Sequence, residues 1–320
     1  MADGMITPGA GFSMADPGSP APLRTLDLAA LLGTVFPPRE LLLAPWLPEK
    51  GLAMLYGPRG IGKTLLSLGI AYSVATGGAF LSWQAPRPRR VLVIDGEMPA
   101  VVLQERLARI VAVSPLEPPA PDFLRVLPMD LQVSGNLDLS DEACHPALEA
   151  TMDGAELLIV DNISTLARGG RENEAESWLP VQQWALVQRR AGRSVVFIHH
   201  AGKGGQQRGT SRREDVLDTV VALRRPADYR PDEGARFEVH FEKSRGFHGD
   251  DAKPFEAALA DPAGWTTRDL ADADLVRVML LTGQGMTVRD IADELGMTKS
   301  TVSRLQAKGR AAGAAPPGHD

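Results

Sequence analysis

The sequence predicts an α/β protein: a mainly parallel, twisted sheet flanked by helices, followed by a small all-α helix-turn-helix unit. Three observations point to it. From Leu42 onward, short apolar runs of β type alternate with helical patterns, as a parallel sheet with crossover helices requires. A stretch of the form G-x-x-x-x-G-K-T separates the first of these runs from the first helix. Near the C-terminus, small and apolar residues fall at the spacing of two short packed helices.

The 320 residues suffice for two folded units. Residues 1–35, which open with a Pro-, Gly-, Ala- and Ser-rich stretch, are expected to be disordered. Residues 36–265 are assigned to the α/β core, 272–310 to the helix-turn-helix and 311–320 to a flexible tail. With 44% hydrophobic and 23% charged residues the composition is that of a soluble globular protein. No apolar run approaches the ~20 residues that span a bilayer, and the N-terminus lacks a basic and apolar export signal, so a cytoplasmic protein without membrane contact is expected. The single cysteine, Cys144, can form neither an internal disulfide nor a cysteine metal cluster and reads as structural filler. A net charge of −6 excludes a general polyanion binder, so nucleic-acid contact falls to local basic patches.

The expected strands are Leu52 to Tyr56, Val91 to Asp95, Leu124 to Pro128, Leu157 to Asp161, Val195 to His199 and Val216 to Leu223, with Phe237 to Glu242 at an edge. Pro254 to Ala271 reads as a connector at the end of the core. The glycine-rich stretch is a P-loop: Gly57, Pro58, Arg59, Gly60, Ile61, Gly62, Lys63, Thr64 and Leu65 are expected to hold ATP. Its glycines let backbone N–H groups converge on phosphate, and the helix that follows adds the positive end of its dipole. Lys63 should reach the β- and γ-phosphates and Thr64 should ligate Mg²⁺. Asp161, at the end of an apolar strand, is the second metal anchor, or a cap of the next helix, or both. Asn162 follows it and cannot take a proton, so the catalytic base is sought elsewhere. Glu97, after the strand Val91 to Asp95, is the candidate.

The succession MLYGPRGIGKT, VLVIDGE, LLIVDN and VVFIHHAGKG resembles the RecA-type ATPase core of hexameric helicases, most closely the RepA-type replicative helicases and their AAA relatives, over residues 42–247. The resemblance implies that Glu97 polarises the attacking water and that a polar residue at the end of the strand after Asp161 senses the γ-phosphate. His200 matches that place, with His199 as its alternate on the strand. It further implies that the following basic loop, with Lys203, Arg208, Arg212 and Arg213, meets single-stranded DNA. ATP would lie between subunits of a homo-oligomer, a hexamer in that family, with Lys and Arg fingers reaching across. Lys243 and Arg245 in FEKSRG are the candidates, with Arg224 and Arg225 as competitors.

Thr287 to Asp290 reads as a capping box opening the stretch VRDIADELGMTKSTVSRLQAKG, in which Ile291, Leu295, Val302 and Leu305 form a shared core and Gly296 the turn. This resembles the helix-turn-helix of bacterial regulators and resolvases. The second helix, expected to begin near Thr298, offers Lys299, Ser300, Thr301 and Arg304 to duplex DNA. Two functions are compatible with the whole sequence: an ATP-driven helicase or translocase, and an ATP-controlled DNA-binding regulator that does not unwind DNA.

Overall fold

The central strands of this chain are apolar on both faces because both faces are covered. In β3 (Leu52–Gly57), Leu52, Met54 and Tyr56 enter one core while Ala53 and Leu55 enter the other. The computed structural model describes residues 24–133, 137–168, 178–201, 214–260 and 264–311. They fall into two units, Met1–Pro38 and Arg39–Asp320. Within the first, α1 (Leu28–Gly33) is a short helix capped by Asp27, whose carboxylate accepts from Ala30 N at 2.7 Å. These residues lie in the stretch expected to be disordered. The local Asp cap and the LAALL run that follows it are the helix signals that the composition obscured.

The second unit begins with β1 (Leu41–Leu43), β2 (Leu47–Pro48) and β3, followed by α2 (Lys63–Thr76), β4 (Ala79–Phe80), β5 (Trp83–Gln84), β6 (Val91–Asp95), α3 (Ala100–Val113) and β7 (Leu124–Pro128). Next come α4 (His145–Thr151), β8 (Leu157–Asp161), α5 (Ile163–Leu166), α6 (Leu179–Arg190), β9 (Ser194–His200), β10 (Thr219–Arg224) and β11 (Arg236–Ser244). The last elements are β12 (Phe255–Ala260), β13 (Gly264–Asp269), α7 (Leu270–Gly283), α8 (Val288–Glu294) and α9 (Lys299–Ala311). Among the described residues the main sheet has nine strands in the order β13-β12-β11-β10-β3-β9-β8-β6-β7. Strands β10 to β7 in that order are mutually parallel, and β11, β12 and β13 add an antiparallel edge.

That edge corrects one expectation. The segment read as a connector forms β12 and β13, in register from Phe255↔Asp269 to Ala260↔Gly264. Phe255 and Ala257 are buried at period 2, but Glu256 between them is only 1% exposed, so an interior charge disguised the strand. The helical unit also starts earlier than expected and has three helices. Asp269 caps α7 by accepting from Ala271 N at 2.8 Å, and Val278 of α7 joins Ile291, Ala292, Leu295, Val302 and Leu305 in one apolar cluster.

Candidate functional site

The P-loop joins β3 to α2 at the carboxyl end of the parallel strands. Gly60 (φ 70°) and Gly62 (φ 113°) take left-handed conformations that other residues rarely adopt. A Cβ on Gly57 would stand 3.0 Å from Leu223 Cβ, so the loop also depends on glycine for its close approach to β10. Lys63 is 5% exposed and donates to the carbonyls of Gly57 (3.0 Å) and Pro58 (2.8 Å), which curls its ammonium back over the loop.

Two strand ends face this loop. Asp161 terminates β8 and is 2% exposed; Ser67 Oγ of α2 lies 3.3 Å from its Oδ2, and the nearby Thr64 hydroxyl favours its charged form. Asp95 terminates β6, and its Oδ1 accepts from Glu97 N (2.9 Å) and Met98 N (2.7 Å), folding the loop that carries Glu97. Gly96 N donates to Asp161 O at 2.8 Å, and a Cβ on Gly96 would come within 2.6 Å of Thr165 Oγ1, so any larger residue would displace the Thr165 and Leu166 side chains of α5. The Glu97 carboxylate, half exposed, accepts from Asn162 Nδ2. Asn162 Nδ2 is also 3.2 Å from His200 Nε2, and Glu97 Oε2 is 3.6 Å from that nitrogen. His199, at the neighbouring register position beside Tyr56, is fully buried, whereas His200 beside Gly57 faces the Glu97 group.

Burial dominates the electrostatics. It raises Asp161 to about 7, with the Asp95 charge adding to the effect, and lowers Lys63 to about 8 against the pull of Asp161 and Glu97. Asp95 is likewise pushed up by burial, partly offset by its bonds from Met98 and Glu97, and its buried Oδ2 has no hydrogen-bond partner among the described residues. Among the described residues no cluster of three or more His, Cys, Asp or Glu side chains could hold a metal alone. One hydroxyl, Thr64, and one carboxylate, Asp161, instead match Mg²⁺, which takes most of its ligands from phosphate and water.

Sequence reasoning missed the link that Asn162 makes between Glu97 and His200. It set Asn162 aside as unable to accept a proton, when the amide's value lies in donating. It also gave Arg225 only a competing role: the Arg225 guanidinium donates to Gly60 O at 2.9 Å and stacks over Tyr229, 3.7 Å from the ring centroid.

Lys243 and Arg245 stand apart from this site. Lys243 pairs with Val220, which pairs with Met54, so it lies roughly 10 Å down the sheet from Gly57. Arg245 N donates to Asp218 O (2.9 Å), beside the amino end of β3. Their side chains contact the carbonyls of Glu214 and Asp215. The expected loop cations Lys203, Arg208, Arg212 and Arg213 lie outside the described residues.

In the C-terminal unit, Thr287 and Asp290 form the expected capping box, and Gly296 (φ 63°) makes the turn before α9. Lys299, Ser300 and Arg304 are exposed on α9, and Thr301 is half-buried with its hydroxyl 2.9 Å from that of Thr298. Among the described residues no helix is long and apolar enough to cross a membrane.

Residues 19–206 match the family model described as an AAA domain, and residues 273–307 match the IclR helix-turn-helix domain. The comparison with curated proteins found no match. Among solved structures, a KaiC-like protein from the hyperthermophilic archaeon Pyrococcus horikoshii OT3 is similar at 16% identity and a TM-score of 0.49, covering 69% of this chain and 90% of that one.

Proposed function

The chain belongs to the AAA domain family and carries a helix-turn-helix DNA-binding domain, and from that premise we propose that it is an ATP-hydrolysing motor on DNA of the RepA-like helicase or translocase type. The observation that carries the reading is the separation of Lys243 and Arg245 from the P-loop of their own chain. Catalytic cations at one end of a subunit and phosphate binding at the other suit a head-to-tail interface, which closes into a ring when the rotation allows. In this reading ATP lies between neighbouring copies of a hexamer.

In this reading residues 57–65 cradle the triphosphate, Lys63 neutralises its β- and γ-oxygens, and Thr64 and Asp161 hold Mg²⁺. The metal supplies charge neutralisation at the transferred phosphoryl group. Glu97 orients and deprotonates the attacking water, with Asp95 shaping its loop and Asn162 positioning its carboxylate. His200 senses the γ-phosphate. Lys243 and Arg245 of one copy stabilise the transition state in the next, while Lys203, Arg208, Arg212 and Arg213 bind the backbone of single-stranded DNA. Lys299, Ser300, Thr301 and Arg304 contact duplex DNA.

A second reading, an ATP-controlled regulator that reads duplex and does not unwind it, is favoured by the buried ion network between α7 and the sheet: Arg277 contacts Glu256, Glu238 and Asp228. Steady-state ATP hydrolysis without DNA, with single-stranded DNA and with duplex separates the two. Strong stimulation by single strands supports the motor. Slow turnover that ignores single strands but responds to duplex removes it and leaves the regulator.

A further inference from the structure

We propose that residues 225–236, the connection from β10 to β11, couple the P-loop to the helix-turn-helix, so that nucleotide and duplex DNA change each other's affinity. The inference rests on the reading above in one respect: the core binds nucleotide and the helix-turn-helix binds duplex.

The connection touches both ends. At the P-loop, Arg225 donates to the Gly60 carbonyl (2.9 Å) and lies on the Tyr229 ring, while Tyr229 Oη donates to Gly234 O at 3.0 Å. A Cβ added to Gly62 would meet Ala235 and Phe237 at 3.2 Å, so the far end of the same connection packs on the loop as well. Between Arg225 and Tyr229 in the chain stands Asp228. Its two oxygens each accept from Arg236 Nη2 at 3.0 Å, and Oδ1 is 2.9 Å from Arg277 Nε on α7. Arg277 is 5% exposed, also meets Glu238 (3.4 Å), Asp274 (2.9 Å) and Glu256, and adjoins Val278 in the core of the helix-turn-helix. Asp228 and Arg277 are joined by ion-pair contact, and Arg236 and Glu256 tie both ends into one network of opposed charges.

Arg225 donates to the carbonyl of Gly60. A triphosphate in the adjoining cradle would offer its guanidinium anionic oxygens, which can be held bidentately, in place of one neutral carbonyl. Drawing Arg225 from Gly60 to phosphate takes its guanidinium off Tyr229 and shifts the turn that holds Asp228, and with it the Arg277 anchor of α7. Coupling of this sort is reciprocal: the factor by which nucleotide changes duplex affinity equals the factor by which duplex changes nucleotide affinity.

The test uses the full chain, a fluorescent random-sequence duplex of about 30 base pairs at low salt, and Mg²⁺ with a slowly hydrolysed ATP analogue. Wild type should change its duplex affinity by about fivefold or more on saturation with the analogue, and its analogue affinity by the same factor on saturation with duplex. Asp228→Asn should bind each ligand alone about as wild type does, with the coupling factor near one. Tyr229→Leu, which leaves the ion network intact and guards against misfolding of the first variant, should weaken coupling in the same way. A wild-type factor of one overturns the proposal, and so does full coupling in a folded variant. If wild type binds no analogue or no duplex, the proposed function fails, and the coupling with it.

Discussion

At the P-loop end of the sheet, Lys63, Asp95 and Asp161 are buried and burial drives each toward its neutral form. At the antiparallel edge, Arg236, Arg277 and Glu256 are buried just as deeply, yet each is matched inside the chain: Arg236 faces Asp228, Glu233 and Glu256, and Glu256 faces three arginines. Burial pulls Arg236 down, but the bonds it donates to Asp228 and Glu233 outweigh that and hold it above its ordinary value. The difference teaches how to read a buried charge. One held by several opposed charges of its own chain keeps its charge, and one whose burial outweighs its partners is driven toward the neutral form.

The largest expected effect tests the P-loop end. Glu97→Gln should retain Mg²⁺–ATP binding and lose turnover by about 10²- to 10⁴-fold, measured by steady-state hydrolysis beside nucleotide titration. Asn162→Ala, which removes the contacts to Glu97 and His200 and the side-chain cap of α5, should lose less. Unchanged turnover in Glu97→Gln would take that residue out of the mechanism.

The buried ion network is next. Arg277→Ala strips one of the three arginines from Glu256, and about 3 kcal/mol of stability should go with it, the low end for a broken buried pair because Arg236 and Arg268 remain. Thermal melts should show a fall of about 6–12 °C. A shift under about 2 °C would mean that the network contributes little, and the contrast with the P-loop end would dissolve.

The smallest effect sharpens the contrast through pH. Asp161 holds its proton more tightly folded than unfolded, so its favourable contribution is complete below about pH 4 and is lost as pH rises through about 7. Nucleotide-free Asp161→Asn should therefore gain on the order of 1–3 kcal/mol over wild type at pH 8, and the gain should shrink as pH falls and vanish only at about pH 4. Equal melting shifts at the two pH values would show that Asp161 is already compensated.

Much of the molecule was legible in the sequence. The runs at Val91–Asp95 and Leu157–Asp161 are strands over those residues, because burial on both faces leaves a continuous apolar signature, and Leu124–Pro128, half-buried at the sheet edge, is a strand as expected despite Arg125. The P-loop and the capping box could be read because each is a short motif whose bonds stay within a few residues. β12 was not legible, since Glu256 looks like a surface residue until Arg236, Arg268 and Arg277 arrive from separate segments. Asn162 was equally hidden: its partners are 65 and 38 residues away.

The sequence by itself determined the α/β alternation, the phosphate loop and the helix-turn-helix core, all set by local periodicity and by glycine at positive φ. Only the tertiary structure decided which acid meets which base, that Lys243 and Arg245 sit far from their own P-loop, and that the connection after β10 touches both Gly60 and α7. Those outcomes depend on strand order and antiparallel register, which bring together residues that no spacing along the chain relates.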